Sequence, residues 1–481
     1  MRPGTVAVVV FLTVVMTIIT TLQFSAPTNT PNSLQRYAQL QLELQFGPLI
    51  QFQWNAEESD ILGVNIDAQC LDSLSTFQLL GQLKNLQTIS LRHGLFSDSD
   101  LRPLASLTKL RSVELQSLNF KGSGLAHLTQ SKGITTLKLN NNPIWNATES
   151  KWLQEFPLLE EIQLAYTNST DATLATLAHH TELQTVVLDH TAVSSTGIKS
   201  LANHNRLIYL SLRGCDLGEQ AERTFHEFRT RLPLTLDLSK SSISDKTLES
   251  LTSLNIVQLN LSETTVSDRG LEALSGNHHC QQLDLSFTAC TSDGLSKTLG
   301  TLPLQTLSLR GLELNESVLK TLGHCKALSA LSLADTNITD RWLPALQQAT
   351  ALEHLVLYST PLTGSNLQSL APLDELSYLD LSNCPLSTNG VEQLQRLSAL
   401  TSLELIGGNL SDQAIRSLVS TKVTHLNLSN SSIDGTDLKV LATMPELKEI
   451  IIRNCSITRN DFEMFQSRNT NCVIYWQEYG L

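Results

Sequence analysis

The chain has 481 residues, with 33 basic against 46 acidic side chains and a net charge of −13. An acidic surface repels phosphate backbones, which speaks against nucleic acid as a partner and suits a neutral or basic one. Hydrophobic residues make up 41% of the chain but aromatic ones only 5%, as expected when one small Leu-, Ser- and Thr-rich unit is copied many times.

In chain order, residues 1–24 stand apart. Only Arg2 is charged before Arg36, and residues 5–22 form an apolar run near the ~20 residues that cross a bilayer as a helix. The best cleavage point, after Ala26, has Phe24 three residues before the cut and Pro27 just after it, both unfavourable. The segment therefore reads as a signal anchor with Arg2 on the cytoplasmic side, making a single-pass membrane protein with an extracytoplasmic C-terminal domain. Cleavage and secretion is the alternative reading. Residues 25–33, rich in Pro, Thr and Asn, read as a flexible tether. Over residues 34–60, Leu40, Leu42, Leu44 and Phe46 alternate with polar residues, as do Ile50, Phe52 and Trp54 beyond Gly47-Pro48. Two alternating runs around a break predict a capping hairpin.

From residue 61 to 470 one frame recurs about every 24 residues. It opens Leu-x-x-Leu-x-Leu, as in Leu86, Ile89 and Leu91, or Leu110, Val113 and Leu115, and returns at Leu304, Leu328, Leu352, Leu376 and Leu400. Counting a degenerate first copy at Ile61, Val64 and Ile66, there are about 17 frames. The opening alternates with period two, a short strand with its leucines turned inward. Eight residues after each frame start stands a small or polar residue, among them Asn142, Thr167, Thr191, Cys215, Thr264, Thr360, Cys384 and Cys455, expected to form a ladder between stacked copies. An inward apolar residue follows two positions on, such as Ile144 or Val266. Then come Ser-Asp or Thr-Asp pairs (Ser244-Asp245, Ser267-Asp268, Thr339-Asp340) that cap a helix and place an acid in its first turn. Residues 471–481 would close the array with a last aromatic strand. The frame from Leu207 runs to 26 residues with a charged stretch at 219–231 that predicts a longer helix.

These frames resemble the leucine-rich-repeat superfamily in its bacterial 24-residue form, LxxLxLxxTxI[ST]DxGLxxL. Ile256, Leu259, Leu261, Thr264, Val266, Ser267, Asp268, Gly270, Leu271 and Leu274 match it position by position. The resemblance covers residues 61–476. It implies an α/β solenoid similar to ribonuclease-inhibitor-like horseshoes, with a parallel β-sheet on the concave face and helices on the convex one. It also implies protein–protein recognition, and it brings no catalytic residue.

The candidate sites are sparse. Nucleophile elbow, His-Glu-x-x-His, Walker loop and Cys-x-x-Cys are all missing, so the chain reads as not an enzyme, without cofactor or metal. Asp237 and Asp284 stand two frames apart as ordinary outward strand residues. Of the eight cysteines, Cys215, Cys384 and Cys455 hold the ladder position several repeats apart and the others stand elsewhere; they are too far apart to pair and read as small buried residues. His179, His180 and His204 share one helix-to-strand edge, with His278, His279 and His324 at similar edges, and read as polar residues at a solvated turn. Asn260 and Asn427 are sequons inside strands. One stretch of the concave face differs from its Ser, Thr, Asn and Gln surroundings. His354, Val356 and Tyr358 in one strand lie beside Tyr378 and Asp380 in the next, a patch suited to anchoring a protein partner. The function expected is a non-catalytic interaction module displayed outside a membrane and binding through its concave face. The alternative is a structural envelope protein that packs by self-association.

Overall fold

The computed structural model describes residues 31–67, 73–218, 220–230 and 232–477, and the chain divides after His180 into two compact units.

In the first unit, helix α1 (Pro31–Phe46) leads through a single 3-10 turn into strand β1 (Ile50–Trp54). Strand β1 pairs antiparallel with β2 (Ile61–Asp67). The hairpin expected over residues 34–60 is thus corrected: its first arm is a helix, and β1 finds its partner in the first frame instead. The leucine alternation at 40–46 misled because a four-residue period competes with it. Ala38, Leu42 and Phe46 are buried on one helical face, while Leu44 is 64% exposed. The Gln, Leu, Glu and Arg content of the segment also favours helix over strand.

Strands β3 (Thr88–Arg92), β4 (Ser112–Gln116), β5 (Thr136–Lys138) and β6 (Glu161–Gln163) follow β2 in parallel, each opening one frame. Their inward residues, such as Ile89, Leu91, Val113 and Leu115, are buried. The frame from Ile134 breaks the expected pattern. Ile144, expected inward, is 42% exposed, and Trp145 is buried in its stead against Phe120, ring centroids 6.1 Å apart. This frame has 25 residues, and its extra residue shifts the inward position by one.

The second unit holds β7 (Thr185–Val187), β8 (Tyr209–Ser211), β9 (Leu234–Asp237), β10 (Ile256–Asn260), β11 (Gln282–Asp284), β12 (Thr306–Ser308) and β13 (Ala330–Ser332). It continues with β14 (His354–Val356), β15 (Tyr378–Asp380), β16 (Ser402–Glu404), β17 (His425–Asn427), β18 (Glu449–Arg453) and β19 (Val473–Gln477). From β8 on, each is parallel to the one before. Leu283, Leu307, Leu331, Leu355 and Leu379 lie in register, all buried. One repeat cannot bury these leucines alone; the next copy closes the core. Short helices return the chain on the far side, and pairs such as Leu248 and Leu251, or Leu319 and Leu322, complete the core.

The helix expected at 219–231 is short, Ala221–His226, and residues 219 and 231 lie outside the described residues. Phe225 and Phe228 both enter the core with ring centroids 5.4 Å apart, and the Arg229 guanidinium donates to the carbonyls of His226 and Phe228. The extra residues of this frame are spent on that turn.

The ladder is also corrected. Most hydroxyls at this position donate within their own turn, to the carbonyl three residues back: Thr191 to Leu188, Thr264 to Leu261 and Thr360 to Leu357, at 2.6–2.7 Å. Where the next repeat carries a cysteine, the hydroxyl also meets its sulfur: Thr191 with Cys215 at 3.7 Å, Thr360 with Cys384 at 3.4 Å and Ser431 with Cys455 at 3.8 Å. Cysteine and asparagine reach across repeats. Cys215, Cys384 and Cys455 donate to Leu188, Leu357 and Leu428 of the preceding repeat at 3.1–3.2 Å. Asn142 accepts from the Leu118 and Phe120 amides and donates to the Leu115 carbonyl.

The single-pass localisation is corrected as well. Among the described residues no helix is long and apolar enough to cross a membrane. The apolar run at 5–22, on which that expectation stood, lies outside them.

Candidate partner-binding face

Alternation turns the second, fourth and sixth residues after each frame start away from the core, so the open face of the second unit is set by those three rows. In β14 and β15 the register pairs His354 with Tyr378 and Val356 with Asp380. The His354 and Tyr378 rings lie 5.7 Å apart, tilted by 32°. Tyr358, two residues past Val356, emerges on the same side. All five expected patch residues are therefore neighbours on one face. Burial raises the Tyr378 phenol to about 12, helped by the nearby Glu404 and Asp380 carboxylates. Tyr358 is also raised, by burial first and then by Asp335. Both rings therefore stay neutral and present a hydroxyl.

The structure adds three residues to this patch. The Arg310 guanidinium carbon stands 5.1 Å from the Tyr358 ring centroid and 5.4 Å from that of Phe287. Arg310 Nε donates to Asp335 Oδ2 at 2.7 Å, which fixes the fork. Phe287 is 46% exposed. Phe287, Asp335 and Ser359 share a left-handed backbone position that recurs in repeat after repeat, and it throws their side chains to the margin of the face. The frame position just before and at this bend was the available signal: aromatic at 287 and 358, basic at 310, acidic at 335.

Other candidates resolve into structure. Asp237 and Asp284 accept the amides of Ser239 and Ser286 at 2.8 and 2.9 Å, as Asn260 and Asn427 do for Ser262 and Ser429. These aspartates and sequon asparagines are equivalent caps on strand ends, visible as a recurring Asp/Asn-Leu-Ser. His180 and His204 are buried, which corrects the solvated-turn reading. Their ring nitrogens meet the Leu153 and Leu201 carbonyls at 3.0 and 3.2 Å. Buried Leu107, Phe156, Leu373 and Leu397 occupy the same frame position, which marks it as interior. Among the described residues no group of three or more His, Cys, Asp or Glu is placed to hold a metal ion.

Seven described cysteines are free and buried; Cys70 lies outside the described residues. Burial pushes the Cys280 thiol up to about 12 and the Cys290 and Cys472 thiols up to about 11. None of these three is poised as a nucleophile.

The family model described as Leucine Rich Repeat matches residues 375–397. No curated protein matches the chain. Among solved structures, the leucine-rich-repeat protein LIC12759 of Leptospira interrogans is 19% identical, covering 82% of this chain and 91% of its own, with a TM-score of 0.49. The plant peptide hormone receptor RGFR1 in complex with RGF2 is 15% identical over 84% of this chain and 75% of its own, with a TM-score of 0.41. An internalin, inlF, of Listeria monocytogenes is 15% identical over 95% of this chain and 97% of its own, with a TM-score of 0.36.

Proposed function

We propose that this chain, a leucine-rich-repeat protein, is a non-catalytic module that binds a protein partner through the concave sheet face of its second unit. The observation that carries the reading is the Arg310 cluster. A guanidinium held between Phe287 and Tyr358 and tied to Asp335 has lost its side-chain freedom before any partner arrives. Preorganised Arg and Tyr side chains are the kind that dominate binding energy at interfaces. Tyr358 joins this cluster to His354, Val356, Tyr378 and Asp380, giving one continuous patch of aromatic and polar groups. Asp380 and the neighbouring Glu404 favour a neutral or basic partner.

The test compares the native chain with a Tyr358→Ser/Tyr378→Ser variant in affinity capture from a native extract. One defined protein retained by the native chain and lost by the variant supports the reading. Equal retention by both would sink it. So would recovery of this chain alone, which would point to self-association instead.

A further inference from the structure

The charges on the open face of the second unit are segregated. In the second and fourth rows, from β9 to β18, stand Asp237, Asp284, Asp380, Glu404 and Glu449, with no Lys or Arg in either row. None of the five makes an ion pair among the described residues; of the basic side chains at the margin, Lys240 and Arg310 are already paired with Glu263 and Asp335, and Arg453 at the end of β18 is exposed without an ion pair among the described residues. In the first unit, taken by itself, the corresponding charges are compensated: Arg92 meets Glu114 at 2.5 Å and Lys138 meets Glu161 at 3.2 Å. The floor of the second unit therefore carries negative charge that the fold does not neutralise.

The five carboxylates fall into two stations. At the first, a cavity of about 320 Å³ is lined by Tyr209, Asp237, Gln258, Asn260, Gln282 and Asp284, among others. An independent observation lies beside it. Ser239 is 1% exposed and its hydroxyl meets no partner among the described residues. The hydroxyls of Ser262 and Ser286, in the same row, bond Asn260 and Asp284. Alternation places Ser239 on the same side as Asp237, with Leu236 and Leu238 turned into the core. At the second station Asp380 and Glu404 are neighbours on β15 and β16, and Glu449 stands on β18, beyond the intervening His425 and Asn427 of β17. Burial holds the Glu404 carboxyl above its ordinary range, with Asp380 and Glu449 adding repulsion that a cation would relieve. Between the stations β12 and β13 put only small, uncharged residues on the floor, Thr306, Ser308, Ala330 and Ser332, and β14 adds His354 and Val356. From β11 to β15 is four strand steps, roughly 19 Å at the usual sheet spacing, which an extended chain covers in about six residues.

We infer that the floor holds an extended segment of the partner, running across the strands, with arginine or lysine side chains about six residues apart seated at Asp237/Asp284 and at Asp380/Glu404/Glu449. This rests on the reading of the face as a protein-binding surface and names the chemistry of what it takes. The small residues of β12 and β13 let the backbone lie close there, and the two stations set the register.

The experiment uses the full chain and fluorescent 14-residue peptides of Gly, Ser and Thr, read by anisotropy. One peptide carries two arginines six positions apart, a second carries them adjacent, and a third carries glutamates in place of the spaced arginines. The spaced peptide is expected to bind at least tenfold more tightly than the adjacent one, to weaken at least tenfold between 0.05 and 0.5 M salt (on the order expected for release of two exposed ion pairs), and the glutamate peptide not to bind. Asp237→Asn/Asp284→Asn and Asp380→Asn/Glu404→Gln should each weaken the spaced peptide tenfold or more. The fold tolerates such changes: asparagine already occupies this frame position at 260 and 427 with its cap intact, and circular dichroism checks each variant. Equal binding of adjacent and spaced arginines, no binding of the spaced peptide, or indifference to both double variants would overturn the inference. A captured partner that needs Tyr358 and Tyr378 but ignores the four carboxylates would also overturn it, while leaving the face a protein-binding surface.

Discussion

Asp245 of one repeat holds Ser267 of the next: its carboxylate accepts the Ser267 amide at 2.8 Å and the hydroxyl at 2.6 Å. The same clasp joins Asp268 to Thr291, both bonds at 2.6 Å, and Asp340 to Thr363, both at 2.9 Å. In the first two the acid that opens one helix thus also holds the N-cap of its neighbour. It explains a glycine too. A Cβ on Gly270 would strike Asp245, and one on Gly294 would strike Asp268, so the Asp-x-Gly spacing of the repeat leaves room for the preceding clasp.

Removing a clasp should loosen one junction between repeats. Asp245→Ala leaves the part-buried Ser267 amide without its acceptor, at a cost of about 1–2 kcal/mol. Urea unfolding followed by circular dichroism should show a lower midpoint, with Asp245→Asn falling between the variant and the native chain. An unchanged midpoint for the alanine variant would mean the clasp contributes nothing.

Gly311 has φ +74, and a Cβ there would meet the Phe287 ring of the preceding repeat. Gly311→Ala is expected to cost about 1–3 kcal/mol, combining a left-handed alanine with displacement of the ring. Adding Phe287→Ala should recover only part of the loss, because the backbone strain stays. A double-mutant cycle in thermal unfolding measures the two parts, and full recovery would assign the whole cost to the ring.

Arg310→Lys keeps the charge but gives up the planar fork that stacks on two rings and bonds Asp335. Once a partner is in hand, its affinity should fall about tenfold, with the thermal midpoint nearly unchanged because the cluster is on the surface. Isothermal titration calorimetry reads the first and scanning calorimetry the second. Unaltered affinity would remove Arg310 from the interface.

The buried thiols make stability fall at alkaline pH. Below the ordinary thiol range, Cys280 is protonated both folded and unfolded, and nothing changes. Above that range the unfolded chain loses its proton first, while burial holds the folded thiol up to about 12. The unfolded state then binds fewer protons, so stability declines as pH rises toward 12. Cys280→Ala should flatten part of that decline in urea melts between pH 8 and 11. Iodoacetamide should label Cys280, Cys290 and Cys472 slowly in the native chain and rapidly in urea, and rapid native labelling of Cys280 would contradict its burial.

Much of the fold was legible because the repeat frame states it many times over. Each frame opening became a strand, since two inward leucines at period two are a local pattern that stacking then reinforces. The errors cluster where a pattern occurs once. Residues 40–46 fit strand and helix equally well by spacing, and only the burial of Ala38, Leu42 and Phe46 decides between them. Ile144 yielded its inward place to Trp145 because one inserted residue moved the frame. Of the candidate face, Tyr358 and Tyr378 were readable from frame position alone, whereas Phe287, Arg310 and Asp335 were not joined to them.

The sequence by itself determined the repeat, its strands, its buried leucines and the rows that face outward, because each follows from spacing within some two dozen residues. Tertiary structure alone decided which side chains meet across repeats. Asp245 finds Ser267 22 residues on, and Arg310 reaches back 23 residues to Phe287 and forward 48 to Tyr358. Such pairings depend on where each left-handed bend aims its side chain. Stacking converts a separation of one frame into roughly 4.8 Å, so a carboxylate clasps a hydroxyl one frame on and a guanidinium settles between a ring one frame back and another two frames on.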